Sequence, residues 1–134
     1  MDSITVQVPV TIKAKLTEKL RERILDGMKK DLEEVELEIK QLNIQQDRAL
    51  QEQGDTPQKE SAIRRYFGQE LGKRQQFHSE VSERKEKIEK LALGAEIVQG
   101  ELKRTVEIKV GDDMREIMNY EILVEDDKII AIRN

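Results

Sequence analysis

The chain contains no cysteine and no tryptophan, and its 134 residues include only two tyrosines, two phenylalanines and two prolines. Without cysteine there is no disulfide framework, no thiolate metal site and no thiol nucleophile. Because aromatic residues are so few and 39% of the residues are charged, the composition suits long solvated helices better than a globule built around a deep pocket.

Long apolar runs are also missing. No uninterrupted apolar stretch approaches the roughly 20 residues needed to cross a bilayer, and Met1–Lys13 alternates polar and apolar residues instead of resembling a signal peptide. The formal net charge is −4, so the chain as a whole has no electrostatic drive toward nucleic acid or anionic lipid. We predict a cytoplasmic protein with no membrane partner, for which nucleic acid is a less favoured partner than protein.

The side chains that enzymes and cofactor sites use are sparse. His78 is the one histidine, so a catalytic triad lacks separate partners and a zinc site lacks a second imidazole. The glycines are scattered and form no phosphate-binding loop, and the acidic groups at Asp112–Glu116 and Glu125–Asp127 lack EF-hand spacing. We predict no catalytic residues, no cofactor and no metal, and we do not expect an enzyme.

An apolar–polar alternation marks the N-terminus as a strand. From Ile4 to Ala14 every even position is apolar, and the odd positions are polar or Pro9. A period of two places one face of a strand against a core. Because Pro9 has no backbone N–H to donate, the strand should have a free edge or a bulge there. Residues 1–15 are therefore assigned to a β base.

Two long helical segments follow in residues 16–99. The first helix is predicted at about 16–53 and the second at about 57–99, with a tip at 54–56. Gly54 can end one helix, Thr56 can cap the next, and Pro57 suits its first turn. In both segments a series of mainly apolar residues is spaced alternately by four and three residues. This is the 3.5-residue repeat of a coiled-coil seam.

The two seams match when the chain folds back on itself. The seam positions are Met28, Leu32, Val35, Ile39, Leu42, Gln46, Ala49 and Gln53, then Ile63, Phe67, Glu70, Arg74, Phe77, Val81, Arg84, Ile88, Leu91, Ala95 and Val98. The numbers of facing residues add up to 112 or 113, so that Val35 meets Phe77. Residues 16–55 hold 7 basic and 11 acidic side chains, a net of −4, and residues 56–91 hold 9 and 6, a net of +3. Opposite charges favour an antiparallel hairpin within one chain.

Strands return in residues 100–134. We predict them at 105–110, 120–124 and 128–132, with a short helical turn at Met114–Met118 and a tight turn at Asp126–Asp127. Since the hairpin brings the chain back to where it began, these strands should join the first one. The predicted fold class is α+β, a long antiparallel coiled-coil helical hairpin projecting from a small antiparallel β base formed by the N-terminal strand and three C-terminal strands.

A β base of this size is too small for a comfortable core of its own. The root of the hairpin is one candidate cover for the sheet, and oligomerisation through a sheet edge is the other. Leu37 and Ile44 lie seven residues apart, away from the seam. They are either candidate oligomer contacts or scattered surface residues of the common kind. We predict a homo-oligomer.

The outer half of the hairpin is the candidate partner surface. Basic and aromatic residues are interleaved there, as they are in proteins that contact nucleic acid. Acidic residues share the region, however, and favour a solvated face or a contact with protein. The candidate contacts are Lys59, Arg64, Arg65, Tyr66 and Lys73.

Near the C-terminus, Val110–Ile117 (VGDDMREI) and Glu121–Ile129 (EILVEDDKI) resemble the YlqD family of bacterial, mainly Firmicute, proteins. The strand-to-helix start at Val8–Leu20 is similar to that family as well. The resemblance covers the layout of essentially the whole chain. It implies a bacterial cytosolic protein and assigns no catalytic residues.

The function predicted from the sequence is that of a non-enzymatic coiled-coil interaction or scaffold protein. Its helical arm would be presented to a protein partner, of unknown identity, from an oligomerising β base. Two alternatives stay open. One is an RNA- or ribosome-associated factor that uses the basic tip, and the other is a prefoldin-like holdase chaperone, since prefoldins also join helical hairpins to β elements.

Overall fold

Seven secondary-structure elements make up the chain in the computed structural model, which describes residues 1–134. In chain order they are β1 (Ser3–Lys15), α1 (Glu18–Gln53), α2 (Pro57–Lys90), β2 (Glu96–Lys109), α3 (Met114–Ile117), β3 (Tyr120–Glu125) and β4 (Lys128–Arg133). They form two compact units, a sheet unit of Met1–Arg21 with Leu91–Asn134, and a hairpin unit of Glu22–Lys90. The predicted α+β class and its components are confirmed.

The turn between the two long helices forms where the sequence predicts it. The Gly54 N–H donates to the Leu50 carbonyl over 3.1 Å, and a Cβ added to Gly54 would lie 2.6 Å from that oxygen. Only glycine fits there without a shift of the backbone. Thr56 caps α2, because its Oγ1 accepts a hydrogen bond from the Lys59 N–H over 3.2 Å. Pro57 is the first residue of α2.

The helices form the predicted antiparallel hairpin. Val35 on α1 and Val81 on α2 belong to the two predicted seams, and each is 3% exposed. Arg74 Nε lies 3.4 Å from Glu38 Oε2 on the other helix, and these two residue numbers add up to the predicted 112. This ion pair between a basic α2 residue and an acidic α1 residue agrees with the predicted register.

Two predicted seam residues of α2 are exposed. Phe77 is 42% exposed and Arg84 is exposed, whereas His78 and Lys85, each one residue further along, are partly buried. The predicted seam positions around them, Arg74, Val81 and Ile88, are buried or partly buried. Arg84 therefore lies outside the buried seam, whereas Phe77 lines a groove together with Val35, the residue that it was predicted to face.

α2 ends at Lys90 rather than at about residue 99, and the boundary predicted between 99 and 100 is wrong. Residues 96–99 belong to β2 and run beside β1. Gly94 has a φ of +86°, a left-handed conformation that glycine adopts at little cost and that often follows a helix. The Gly94 N–H donates to the Leu16 carbonyl over 2.8 Å. Pairing with β1 thus outweighs the helix-like spacing of this segment.

The sheet has the strand order β2-β1-β3-β4. β1 is antiparallel to β2, and β3 is antiparallel to β4. β1 and β3 are parallel, however, with Val10–Ala14 beside Tyr120–Val124, so the sheet is mixed rather than wholly antiparallel. The reason is topological. β2 ends beside the start of β1, and the crossover that a parallel pair needs is supplied by the segment containing α3.

Pro9 lies where β1 has a single neighbouring strand. It is opposite Lys103 of β2, but the ladder to β3 begins at Val10, one residue later. A residue without a backbone donor is tolerated at such a free edge. The predicted edge position of Pro9 is therefore confirmed, although β1 as a whole is an interior strand.

The tight turn between β3 and β4 forms at the predicted residues. Asp126 and Asp127 have φ values of +45° and +69°, which is the pattern of a type I′ turn that aspartate tolerates. The Thr17 hydroxyl donates to Asp126 Oδ1 over 2.8 Å and accepts a hydrogen bond from the Leu20 N–H over 3.1 Å. Thr17 thus caps α1 and ties its first turn to the sheet.

The buried core is small and lies mainly in the sheet unit. Its buried apolar residues are Val8, Val10, Ala14, Leu16, Leu20 and Leu123. Even-numbered residues of β1 supply the first three, as the alternation predicts. The buried residues of the hairpin unit are Val35 and Val81. None of the helices combines the length and the apolar content needed to span a bilayer.

Candidate interaction surfaces

At the tip of the hairpin, three of the predicted basic contacts lie next to nearby carboxylates. The pairs are Lys59 with Asp55 at 3.2 Å, Arg64 with Glu60 at 3.1 Å and Lys73 with Glu70 at 3.4 Å. Exposed pairs of this kind stabilise a protein by about 0–1 kcal/mol. Their larger effect is to cancel positive charge at the tip, which reduces its attraction for a phosphate backbone.

Arg65 and Tyr66 are the predicted tip contacts that no ion pair occupies. Arg65 is exposed, and Tyr66 is 59% exposed. The Tyr66 ring meets the Phe67 ring edge-on, with centroids 5.1 Å apart and an interplanar angle of 84°. This aromatic contact orients Tyr66 at the surface. Among the predicted contacts, the tip therefore offers a partner one cation without an ion pair, Arg65, and one positioned aromatic ring, Tyr66.

Leu37 and Ile44, predicted as oligomer contacts, are accessible on the outside of α1. Leu37 and Ile44 are each 54% exposed. The residues three and four positions away from them include Glu33, Lys40, Gln41 and Arg48, all exposed. We call Leu37 and Ile44 the outer stripe. It is a small apolar strip with a rim that carries both signs of charge.

A groove of about 330 Å³ opens beside Phe77 in the middle of the hairpin. Its walls are formed by Asp31, Glu34, Val35, Glu38, Lys73, Arg74 and Phe77. The Arg74 guanidinium hydrogen-bonds to Glu70 and thereby lowers the pKa of that carboxyl, with a smaller effect from Lys73. The bond to Glu70 in turn raises the pKa of Arg74. Of the charged residues that line the groove, Glu38, Lys73 and Arg74 are thus paired within the hairpin.

His78 lies on the flank of the seam, as the sequence predicts. Its Nε2 is 3.0 Å from Glu36 Oε1 on the facing helix. Nowhere in the chain do three or more histidine, cysteine, aspartate or glutamate side chains lie close enough together to hold a metal ion. The pair of His78 and Glu36 therefore acts as a second cross-helix contact that aligns α1 with α2.

One charged residue from each strand meets on one face of the sheet, in an arrangement we call the ion cluster. Lys13 Nζ lies 2.8 Å from Glu121 Oε1. Arg133 Nη2 lies 2.8 Å from Glu121 Oε2 and 2.5 Å from Glu96 Oε1. The hydrogen bond from Lys13 is the main reason that the pKa of Glu121 is lowered, and the bond from Arg133 lowers the pKa of Glu96.

Sequence reasoning missed the ion cluster. Its members come from four strands, and charged residues at the outward positions of a strand are common. The spatial order of the strands, rather than any spacing in the sequence, brings these four side chains together. No sequence signal could have found this cluster without that order.

Acidification is expected to destabilise the sheet unit through the ion cluster. A carboxylate with a depressed folded pKa stabilises the fold fully above its unfolded pKa of about 4.3, and this stabilisation is lost as the pH falls through the lower folded pKa. We expect the urea concentration at the midpoint of unfolding to decrease as the pH is lowered from 6 to 3. The decrease should be less steep in Glu121→Gln. Glu107→Gln, which removes an exposed carboxylate of β2, is the control. Equal slopes in the two variants would contradict the assignment.

Arg104 of β2 is held by contacts within the sheet unit. Its guanidinium carbon lies 3.9 Å from the centroid of the Tyr120 ring, and its Nη2 donates to the Ile117 carbonyl over 2.9 Å. The cation–π contact and the hydrogen bond together give the charge a partner on the sheet itself. The alternation of β2 places Arg104 among apolar residues, which is the signal that could have identified it.

A groove of about 580 Å³ beside Arg104 contains the acidic residues Asp112, Asp113 and Glu116. Asp112 Oδ2 accepts a hydrogen bond from the Lys109 N–H over 2.8 Å, and Asp113 Oδ1 accepts one from the Arg115 N–H over 2.9 Å. The two aspartates therefore stabilise the turn before α3 and cap its first residues. These contacts account for Asp112 and Asp113 without a bound cation.

Two comparisons place the chain among known proteins. A family model described as YlqD protein matches residues 4–133. A crystal structure of a protein of unknown function from Synechococcus sp. WH 8102 superposes with a TM-score of 0.87 at 20% sequence identity, over 100% of both chains. At that identity the likeness shows the fold alone. No curated protein matches the chain.

Proposed function

The chain belongs to the YlqD family, and we propose that it is a non-enzymatic interaction protein, located in the cytoplasm, whose hairpin binds a protein partner and whose sheet unit self-associates. The observation that carries the proposal is the outer stripe. Leu37 and Ile44 are each 54% exposed on a hairpin whose register is held by contacts between the helices.

The chemistry of the outer stripe suits an amphipathic helix of a partner protein. Leu37 and Ile44 are seven residues apart, or about 10.5 Å along the helix axis, which matches the heptad repeat of a packed helix. Because each residue is 54% exposed, burying the rest of its side chain favours binding by about half of the 1.5–3 kcal/mol expected for a fully exposed one. The rim residues Glu33, Lys40 and Arg48 can pair with either sign of charge on the partner and set its direction.

The outer stripe is presented by a helix that cannot easily rotate. Val35, two residues before Leu37, is 3% exposed in the seam. Glu36 and Glu38, on either side of Leu37, contact His78 and Arg74 of the facing helix at 3.0 Å and 3.4 Å. A partner therefore meets a preorganised surface, and less binding free energy is lost in ordering it.

The tip supports the two alternative functions less well. An RNA-binding tip needs unpaired cations and aromatic rings for stacking, and of the five predicted tip contacts only Arg65 and Tyr66 have no ion pair. A prefoldin-like holdase needs an extended apolar surface for unfolded clients. Tyr66 is one exposed ring on a charged background, so the outer stripe remains the better supported surface.

Photo-crosslinking from the outer stripe tests the proposal. A benzophenone amino acid at position 37 is expected to capture a specific protein in cells, whereas the same group at position 45, on another side of α1, is not. The captured protein is then purified and titrated against the full chain. We expect Leu37→Asp with Ile44→Asp to weaken binding about 100-fold, because two desolvated contacts are lost.

The matched control is Arg64→Glu with Arg65→Glu at the tip, which should bind the captured protein as the wild type does. If the tip variant loses binding while the outer-stripe variant keeps it, the proposed surface is wrong and the tip is the binding site. Crosslinking to RNA from position 65, with none to protein from position 37, would favour the RNA-binding alternative.

A further inference from the structure

Two carboxylates without a partner lie on one wall of the groove beside Phe77. Asp31 and Glu34 are exposed, and neither accepts a hydrogen bond or forms an ion pair within the chain. With Val35 and Glu38 they form the α1 wall of this groove. Residues spaced by three, four and seven positions lie along one face of a helix, so the two free carboxylates face the same space.

The other charges around this groove neutralise one another. Lys73 Nζ lies 3.4 Å from Glu70 Oε1. The Arg74 guanidinium hydrogen-bonds to Glu70, and its Nε lies 3.4 Å from Glu38 Oε2. Two cations and two carboxylates therefore cancel, and the two free carboxylates give the groove a negative potential although basic residues line its other wall.

An aromatic ring lies in the same groove. Phe77 is 42% exposed and lines the groove together with Val35, which is 3% exposed. An exposed aromatic ring attracts a cation that lies over its face within about 6 Å of the ring centroid. The ring and the free carboxylates therefore favour the same kind of ligand, a cation with an apolar stem.

We infer that the groove beside Phe77 is a docking site for an arginine side chain of a partner protein. A planar guanidinium can stack on an aromatic ring and donate hydrogen bonds to carboxylates at its edge, whereas a lysine ammonium is a compact and more strongly hydrated charge. Asp31 and Glu34 accept those hydrogen bonds. The apolar stem of the arginine lies along Val35.

The size of the groove matches one long side chain. Its volume is about 330 Å³, which is at the lower end of the range of about 300–1,000 Å³ for ligand pockets. Its α1 wall extends over seven residue steps, or about 10.5 Å. The groove therefore accepts one side chain from a loop or an extended segment, and not the face of a whole helix.

This inference goes beyond the proposed function, because it names a different surface and a different kind of contact. The outer stripe takes up apolar side chains on the outside of α1. The groove takes up a cation between α1 and α2. Each site has its own residues, so each can be removed by substitutions that leave the other in place.

The test is a titration of the full chain with the blocked peptide acetyl-Gly-Arg-Gly amide, followed by the amide chemical shifts of the protein. At about 150 mM salt we expect shifts in residues 31–38 and 73–77, with a Kd of about 1 mM, as suits a single side chain. Asp31→Asn with Glu34→Gln should weaken binding about 10-fold, and Phe77→Leu about 3-fold. Since Asp31 and Glu34 are exposed, their variant should keep the circular dichroism spectrum of the wild type.

Glu22→Gln with Asp26→Asn is the matched control. It removes the same two charges from exposed positions of α1, which the helical rotation of about 100° per residue places on the side turned away from Val35. This variant should bind the peptide as the wild type does. Equal weakening in the two double variants would show attraction by net charge alone and would overturn the inference, as would the absence of binding at 20 mM peptide.

A lysine peptide tests the choice of arginine. Acetyl-Gly-Lys-Gly amide should bind at least about 3-fold more weakly, because its ammonium has no planar face to stack on the ring. If it bound as tightly as the arginine peptide, the groove would select positive charge and not a guanidinium, and the inference would be wrong.

Leu37→Ser with Ile44→Ser separates this inference from the proposed partner site. The variant removes the outer stripe without adding charge, so it should bind the arginine peptide as the wild type does. If no protein is captured from position 37 while the peptide binds as expected, the proposed function fails and this inference stands. If a protein is captured but the peptide does not bind, the inference fails and the proposed function stands.

Discussion

Replacing Leu16 by alanine is expected to lower the free energy of unfolding by about 2–5 kcal/mol. Leu16 is 1% exposed and is the most completely buried large side chain of the protein. Leu16 lies between β1 and α1. Both of its backbone polar groups are hydrogen-bonded: its N–H donates to the Ala95 carbonyl, and its carbonyl accepts from the Gly94 N–H, each over 2.8 Å. The surrounding backbone cannot collapse freely into the space left behind, so most of the cavity should remain.

Leu93→Ala is the matched control for this prediction. Leu93 lies in the same turn region but is 53% exposed, so the same change of side chain should cost less than about 0.5 kcal/mol. Urea unfolding followed by circular dichroism measures both variants. If the two variants lost the same free energy of unfolding, Leu16 would not anchor the core and the prediction would be wrong.

Replacing Val35 by aspartate is expected to destabilise the hairpin unit by at least about 3 kcal/mol. Val35 and Val81 are the two buried residues of the hairpin, each 3% exposed. An unpaired carboxylate in that seam loses its hydration and gains no partner, since the nearest ionic groups of the groove include Glu34, Glu38 and an Arg74 that is already bonded. Amide hydrogen exchange in residues 22–90 should therefore accelerate strongly.

Leu37→Asp, two residues along the same helix, is the control. The chemical change is similar, but Leu37 is 54% exposed, so the new carboxylate remains in water and the cost should be about 1 kcal/mol or less. Comparable acceleration of exchange in both variants would show that the hairpin is not held by the seam, and the register assignment would need to be replaced.

The candidate sites divide into those that local patterns reveal and those that they do not. Leu37 and Ile44 could be identified from sequence, because two aliphatic residues seven apart and outside a 4–3 seam must lie on the outer side of a helix. The groove beside Phe77 could be located only in part. The two seams place Phe77 beside Val35, but the carboxylates that are left without a partner depend on which of them the basic side chains of α2 contact.

The same distinction explains the errors in the predicted fold. The 4–3 spacing predicts a buried Phe77, whereas its side chain lines a groove beside Val35 and is 42% exposed. Residues 96–99 continue a helical spacing, yet they form β2 because β1 lies beside them and supplies hydrogen-bond partners. For residues 96–99, a pattern that is sound locally is overruled by pairing with a neighbouring strand.

By itself, the sequence determined the elements of this protein that depend on nearby residues. The alternation of β1, the Gly54 turn, the seam around Val35 and the Asp126–Asp127 turn all follow from spacing and backbone preference, which act over a few residues. Tertiary structure alone decided the parallel pairing of β1 with β3, the end of α2, the ion cluster and the free carboxylates of the groove beside Phe77. Those features depend on contacts between residues far apart in the chain, and their energies exist only once the strands and helices have been brought together.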